Sequence, residues 1–129
     1  MPAGEPFTSD QRRGIERARK DAARMSELTF HVFVGATGDE PRAAAQASQA
    51  ALPDAGTAVL MFVDPPARAL EIVTGPDAHQ LLDDSACSLV ALSMQTAFVA
   101  GDLAGGIIHG LYQLGEHARR PESLHTAGR

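Results

Sequence analysis

The chain has 129 residues, 44% of them hydrophobic, enough for one domain of ordinary size with a real core. A formal charge of −5 and a pI of about 5.4 disfavour nucleic acid and anionic membrane surfaces as partners. The single cysteine, Cys87, excludes an internal disulfide and fits a reducing compartment.

The first residues, "MPAGEPF", carry no apolar run of the kind a leader needs. The most apolar stretch, residues 97–114, is interrupted by Asp102 and His109, so no membrane span is expected. The expectation is a soluble, cytoplasmic chain: an arm over 1–7, one α/β domain over 8–118, and a polar tail over 119–129.

In chain order, "TSDQ" offers a capping box, with Thr8 as N-cap and Gln11 three positions on. Ile15, Ala18, Ala22 and Met25 then recur at helical spacing, opposite Arg12, Glu16, Lys20 and Arg24, which predicts a helix over 9–25. "RRGIERARK" is its solvated face. "LTFHVFVG" reads as a strand, apolar enough on both faces to expect a central place in a sheet. A second, alanine-rich helix is expected over 40–52, with Asp39 as N-cap and Pro41 in its first turn.

"PDAG" ends that helix, and "TAVLMFV" is a continuous apolar run of the buried-strand type. "DPPAR" turns the chain into "ALEIVT", predicting an antiparallel hairpin. The crossover through the second helix predicts a parallel pairing of the first two strands. "GPDAHQLLDD" is a loop with room for one helical turn. Residues 84–97 form a helix with a stripe of Cys87, Val90, Ala91, Met94 and Ala97. The last helix, over 102–118, contains Gly105, Gly106 and Gly110 behind Gly101 and Asp102. Interior glycines each cost roughly 1 kcal/mol relative to alanine. Close approach of this helix to the sheet or to the first helix is the expected compensation, with Gly101 supplying a turn and Asp102 the N-cap. The order of elements predicts an α/β fold, a three-layer α/β/α sandwich on a small mixed sheet.

Two segments carry a resemblance. "IVTGPDAHQLLDDSA" is similar to the glycine-to-"LTD" segment of TPM domains, and "AFVAGDLAGGIIHGL" resembles their "F-x-x-G-D-x-x-x-G" stretch. Gly75, Leu82, Asp84, Phe98, Gly101, Asp102 and Gly106 fall on the matching positions, while His79 and Asp83 depart from the pattern. The resemblance covers roughly residues 8–118 and is closest to a small soluble actinobacterial branch. It implies a Rossmann-like fold, an acidic cation site near the loops, phosphatase activity as in the plant branch, or an accessory role as in an animal branch.

Asp83, Asp84 and Asp102 are the candidate ligands for Ca²⁺ or Mg²⁺, which take several oxygen ligands, with Asp77 and His79 as loop neighbours. The competing role for Asp84 and Asp102 is N-capping, since the positive end of a helix opposes a cation. The loop "GATGDEP" follows the first strand, where open α/β sheets tend to bind ligands, but it lacks a phosphate fingerprint and carries Asp39 and Glu40. The histidines at 31, 79, 109, 117 and 125 offer no i, i+4 metal pair with a matching acid, and no G-x-S-x-G occurs. Cys87, on an apolar stripe, reads as an inert core thiol. The preferred functional expectation is a non-catalytic binding or accessory module, engaging a protein partner through the loops near 75–84 and 101–102 or through a helix face. The alternative is a divalent-cation-dependent phosphatase acting on phosphomonoesters.

Overall fold

The computed structural model describes residues 6–119. The expected N-terminal arm and polar tail fall mostly outside these residues. Helix α1 (Ser9–Ser26) leads to strand β1 (Thr29–Val34), helix α2 (Pro41–Ala50) and strand β2 (Ala58–Asp64). Strand β3 (Ala69–Thr74), the one-turn helix α3 (Pro76–His79), and helices α4 (Asp84–Val99) and α5 (Leu103–His117) follow. The fold is mixed α/β, five helices around a three-stranded sheet of order β1-β2-β3, with β1 and β2 parallel and β2 and β3 antiparallel.

Every residue of β2 is buried, as its unbroken apolar run predicts for a strand covered on both faces. Its faces divide the core. Val59, Met61 and Val63 join Ile15, Ala18, Ala22, Met94, Ile107, Leu111 and Leu114 from α1, α4 and α5. Leu60 and Phe62, with Val73 of β3, meet Ala45 of α2 on the other side. A fully buried side chain such as Leu111 contributes roughly 1.5–3 kcal/mol by leaving water.

Strand β1 is not central. It lies at the sheet edge, and its apolar outward residue Phe33 is 44% exposed, leaning on Phe62 with ring centroids 4.7 Å apart. An apolar side chain on an edge strand finds cover from its neighbour rather than from a further strand. Both outer edges are guarded by arginine: Arg19 donates to the Phe30 carbonyl at 2.6 Å, and Arg42 to the Ile72 carbonyl at 3.2 Å. These contacts occupy acceptors that would otherwise template edge-to-edge pairing. The Rossmann-like expectation gains no support, because one parallel pair is followed by a hairpin rather than by another crossover.

The capping box at α1 is present, with Gln11 N–H donating to Thr8 Oγ1 and Thr8 N–H to Gln11 Oε1. Asp39 does not cap α2; Glu40 holds that position without a side-chain bond, and Pro41 relieves the first turn of one donor. Gly101 takes a φ of +89°, which turns α4 into α5. The glycine face of α5 packs on α4 rather than on the sheet: a Cβ at Gly106 would meet the Phe98 ring at 2.7 Å, and one at Gly110 the Met94 side chain. Close approach to α1 occurs one turn later, where Gly115 faces Ala22.

Candidate functional site

The fold separates the expected acidic set. Asp83 is the N-cap of α4 and accepts from Ala86 N–H at 2.9 Å. Asp102 lies beyond the other end of that helix, where it caps α5 and accepts from Gly105 N–H at 2.9 Å. The 16 residues of α4 between them span roughly 24 Å at 1.5 Å per residue. One ion therefore does not bridge Asp83 and Asp102. Asp84, expected as a cap, instead sits in the first turn, with its side chain 90% exposed and 4.0 Å from His79 Nδ1. His79 Nδ1 also lies 3.4 Å from Thr74 Oγ1, and the Asp77 carboxylate is turned toward Gly56. Among the described residues no three His, Cys, Asp or Glu side chains gather at metal-ligating distance.

Two carboxylates that the sequence reading passed over stand out, Asp64 and Asp54. Asp64, at the carboxyl end of β2, is buried and accepts from Thr37 N–H at 2.9 Å, Thr37 Oγ1–H at 3.0 Å and Ala67 N–H at 3.4 Å. The Thr37 backbone donor, foremost, holds its carboxyl below the ordinary value of 3.8 against the opposing effect of burial. This ties the "GATGDEP" loop to the hairpin turn, so the loop is a structural clasp around a carboxylate. On the edge strand, Asp54 accepts from Thr29 Oγ1–H at 2.5 Å and pairs with His31 Nε2 at 3.1 Å, which fastens β1 to the connection before β2. Cys87 is buried, as expected, and burial pushes its thiol up to about 11.

Beside Asp64 a cleft of about 420 Å³ opens between the hairpin and the α4–α5 junction. Val63 and Leu70 form one wall, Phe98, Val99 and Leu103 the other, and Arg68 stands in the turn with a left-handed φ of +55°.

The second surface is the outer face of α4. From Ser85 to Gly101 the sequence contains no charged residue. Leu89 is 65% exposed, Leu92 64% and Val99 87%. With Ser85 and Thr96 they repeat at steps of four and three, the spacing of one continuous helix face. The Thr96 hydroxyl bonds back to the Leu92 carbonyl at 3.3 Å, so it requires no outside partner. The helix is apolar on two faces: Ala86, Cys87, Val90 and Met94 point into the core while the leucines point out.

The sequence matches the family described as "Domain of unknown function (DUF5130)" over residues 1–114. The chain belongs to this family. That overturns the TPM resemblance: no TPM family match accompanies it, and the glycine–aspartate segments that carried the likeness are here helix caps and a turn. The phosphatase reading came from that resemblance and from an aspartate set that the fold splits, with Asp102 at the far end of α4 from Asp83 and Asp84.

Two Mycobacterium tuberculosis proteins, "Uncharacterized protein Rv2468c" and "Uncharacterized protein MT2543", are each 27% identical over 103 residues. The match covers 80% of this chain and 62% of each relative, so the chain spans about three-fifths of their length. In structure, the DUF5130 chain is similar to the BA42 protein of Bizionia argentinensis, with a TM-score of 0.80 at 18% identity over 91% of this chain and 84% of that one. It is also similar to the N-terminal domain of the cg2496 protein of Corynebacterium glutamicum, with a TM-score of 0.74 at 18% identity over 90% and 76%. These likenesses show the fold. Among the described residues, no helix is long and apolar enough to cross a membrane.

Proposed function

We propose that this domain is a binding module that docks an amphipathic helix of a partner protein along the outer face of α4. The observation that carries the reading is the exposure of Leu89, Leu92 and Val99 on a helix face without a single charge. Scattered surface leucines are ordinary, but a contiguous apolar track marks an interaction surface. The track from Leu89 to Val99 runs about 15 Å, room for two to three helical turns of a partner with apolar residues at i, i+3 and i+7.

A partner helix fits this face better than a second copy of the chain does. One helix face of this length offers a few hundred Å² of accessible surface, on the order of half the roughly 800 Å² per side of a standard stable interface. A transient contact with a slender partner uses such an area; a lasting homodimer needs more. The net charge of −5 further opposes pairing of two copies.

The test compares the tagged chain with its Leu89→Gln/Leu92→Gln variant, both purified from the native host. The reading expects a protein retained by the wild type and lost from the variant, with both chains equally folded by circular dichroism. Identical retained proteins overturn it.

A further inference from the structure

We infer that the cleft between the β2–β3 turn and the α4–α5 junction is a binding site for a small monocarboxylate with an apolar body, and that Arg68 is its anchoring cation. This site adjoins the helix-docking face: Val99 belongs to both, while Leu89 and Leu92 lie outside the cleft.

Three observations carry the inference. First, size and lining fit. The cleft holds about 420 Å³, within the range of roughly 300–1,000 Å³ that small-molecule sites occupy, and Val63, Leu70, Phe98 and Leu103 supply apolar walls. It opens at the carboxyl end of β2, beside the hairpin turn into β3.

Second, the charges are unequally engaged. Asp64, at the cleft, already accepts three hydrogen bonds from Thr37 and Ala67. Among the described residues, the side chains of Arg68 and Arg17 make no hydrogen bond or ion pair, whereas Arg13, Arg19, Arg24, Arg42 and Arg119 all pair with a carboxylate; of the two, Arg68 is the one that lines this cleft. A guanidinium fork at the rim of an apolar cleft is built to take a carboxylate in two parallel bonds. Among the described residues, Arg68 is the one cation of the lining and Asp64 the one carboxylate. The ligand's carboxylate is therefore held by the guanidinium's directed hydrogen bonds rather than by net charge. The second charge of a dianion such as a phosphomonoester meets Asp64 without a cation of its own.

Third, Arg68 is held at a φ of +55°, a conformation that glycine or asparagine adopts at lower cost. The turn therefore carries an arginine where its backbone favours another residue. Strain retained at a site that faces a cavity is the pattern of a functional position.

The test is an NMR amide-shift titration of the full chain with octanoate, n-octanol and octyl phosphate, on wild type, Arg68→Gln and Arg68→Gly. The inference expects saturable octanoate shifts in residues 63–70 and 95–103, and at least tenfold weaker binding of n-octanol and of octyl phosphate. Both Arg68 variants keep the wild-type fold in their spectra. They lose at least tenfold in octanoate affinity while n-octanol affinity is unchanged. Arg68→Gly also removes the left-handed strain, so lost binding there is not a folding defect. The absence of saturable octanoate shifts in those segments overturns the site. Equal affinity for n-octanol, undiminished octanoate binding by Arg68→Gln, or tighter binding of octyl phosphate overturns the assignment of Arg68 and of the monocarboxylate.

Discussion

Gly115 of α5 lies so close to Ala22 of α1 that a Cβ added at residue 115 would stand 2.8 Å from the Ala22 Cα and 3.3 Å from its carbonyl oxygen. These are backbone atoms, which cannot swing aside. Gly115→Ala gains up to about 1 kcal/mol of helix propensity but must part the two helices, an overpacking cost of roughly 1–3 kcal/mol or more. The expected result is net destabilisation in urea unfolding. Gly14→Ala meets only the flexible tip of Ile108 at 3.1 Å and is expected to be neutral or stabilising by up to about 1 kcal/mol.

The two capping aspartates and their neighbour separate under alanine substitution. Asp83→Ala and Asp102→Ala each leave an amide at a helix start without its acceptor, for a loss of about 1 kcal/mol. Asp84→Ala removes a side chain that is 90% exposed and holds no cap, so unfolding stability should move by no more than about 0.5 kcal/mol. In a Ca²⁺ titration followed by NMR, residues 83–84 and 102 are expected to show no common saturation curve, because roughly 24 Å of helix lies between them.

Asp64 gives the fold an acid limb. Its folded carboxyl is held below the ordinary value, chiefly by Thr37 N–H, so the folded state binds the Asp64 proton less readily than the unfolded chain. That contribution is fully present above the unfolded pKa of about 3.9 and is lost as pH falls through the lower folded value. Asp64→Asn should be less stable than the wild type at pH 7. The gap should narrow as pH drops below about 4, measured by urea unfolding at both ends.

Cys87 should be inert while the chain is folded. Burial pushes the thiol up to about 11, with the Asp84 charge adding to the effect, so almost no thiolate is present at pH 7.4. Labelling by iodoacetamide is expected to be negligible in buffer and complete in 6 M guanidinium; ready labelling in buffer would contradict the packing of the α4 core face.

What was legible in the sequence was what local pattern controls. The capping box at Thr8, the unbroken apolar run of β2, the Asp-Pro-Pro turn and the Gly101–Asp102 start of α5 each need only a few adjacent residues, and each appears as read. The place of β1 was not legible, because two-faced apolarity arises both from a central position and from an edge strand covered by Phe62 and α1. The distance between Asp83 and Asp102 was not legible for a related reason. Asp83 and Asp102 are near each other in motif terms, but a straight helix between them turns 16 residues into distance. The outer stripe of α4 left a trace in the missing charges from Ser85 to Gly101, yet the inner stripe of Cys87, Val90 and Met94 fitted the same letters equally well. Arg68 left none: its place at a cleft depends on residues 95–103 of the α4–α5 junction, more than 25 residues further on.

The most direct test of helix docking on α4 is site-specific photo-crosslinking in the native host. Benzoylphenylalanine is placed at Leu92 on α4, and separately at Gln46, which is exposed on α2 across the sheet. The account predicts one discrete adduct from position 92, absent from position 46 and abolished by Leu89→Gln, whose crosslinked peptide carries apolar residues at i, i+3 and i+7. An adduct that forms equally from both positions, or none at position 92, would contradict it.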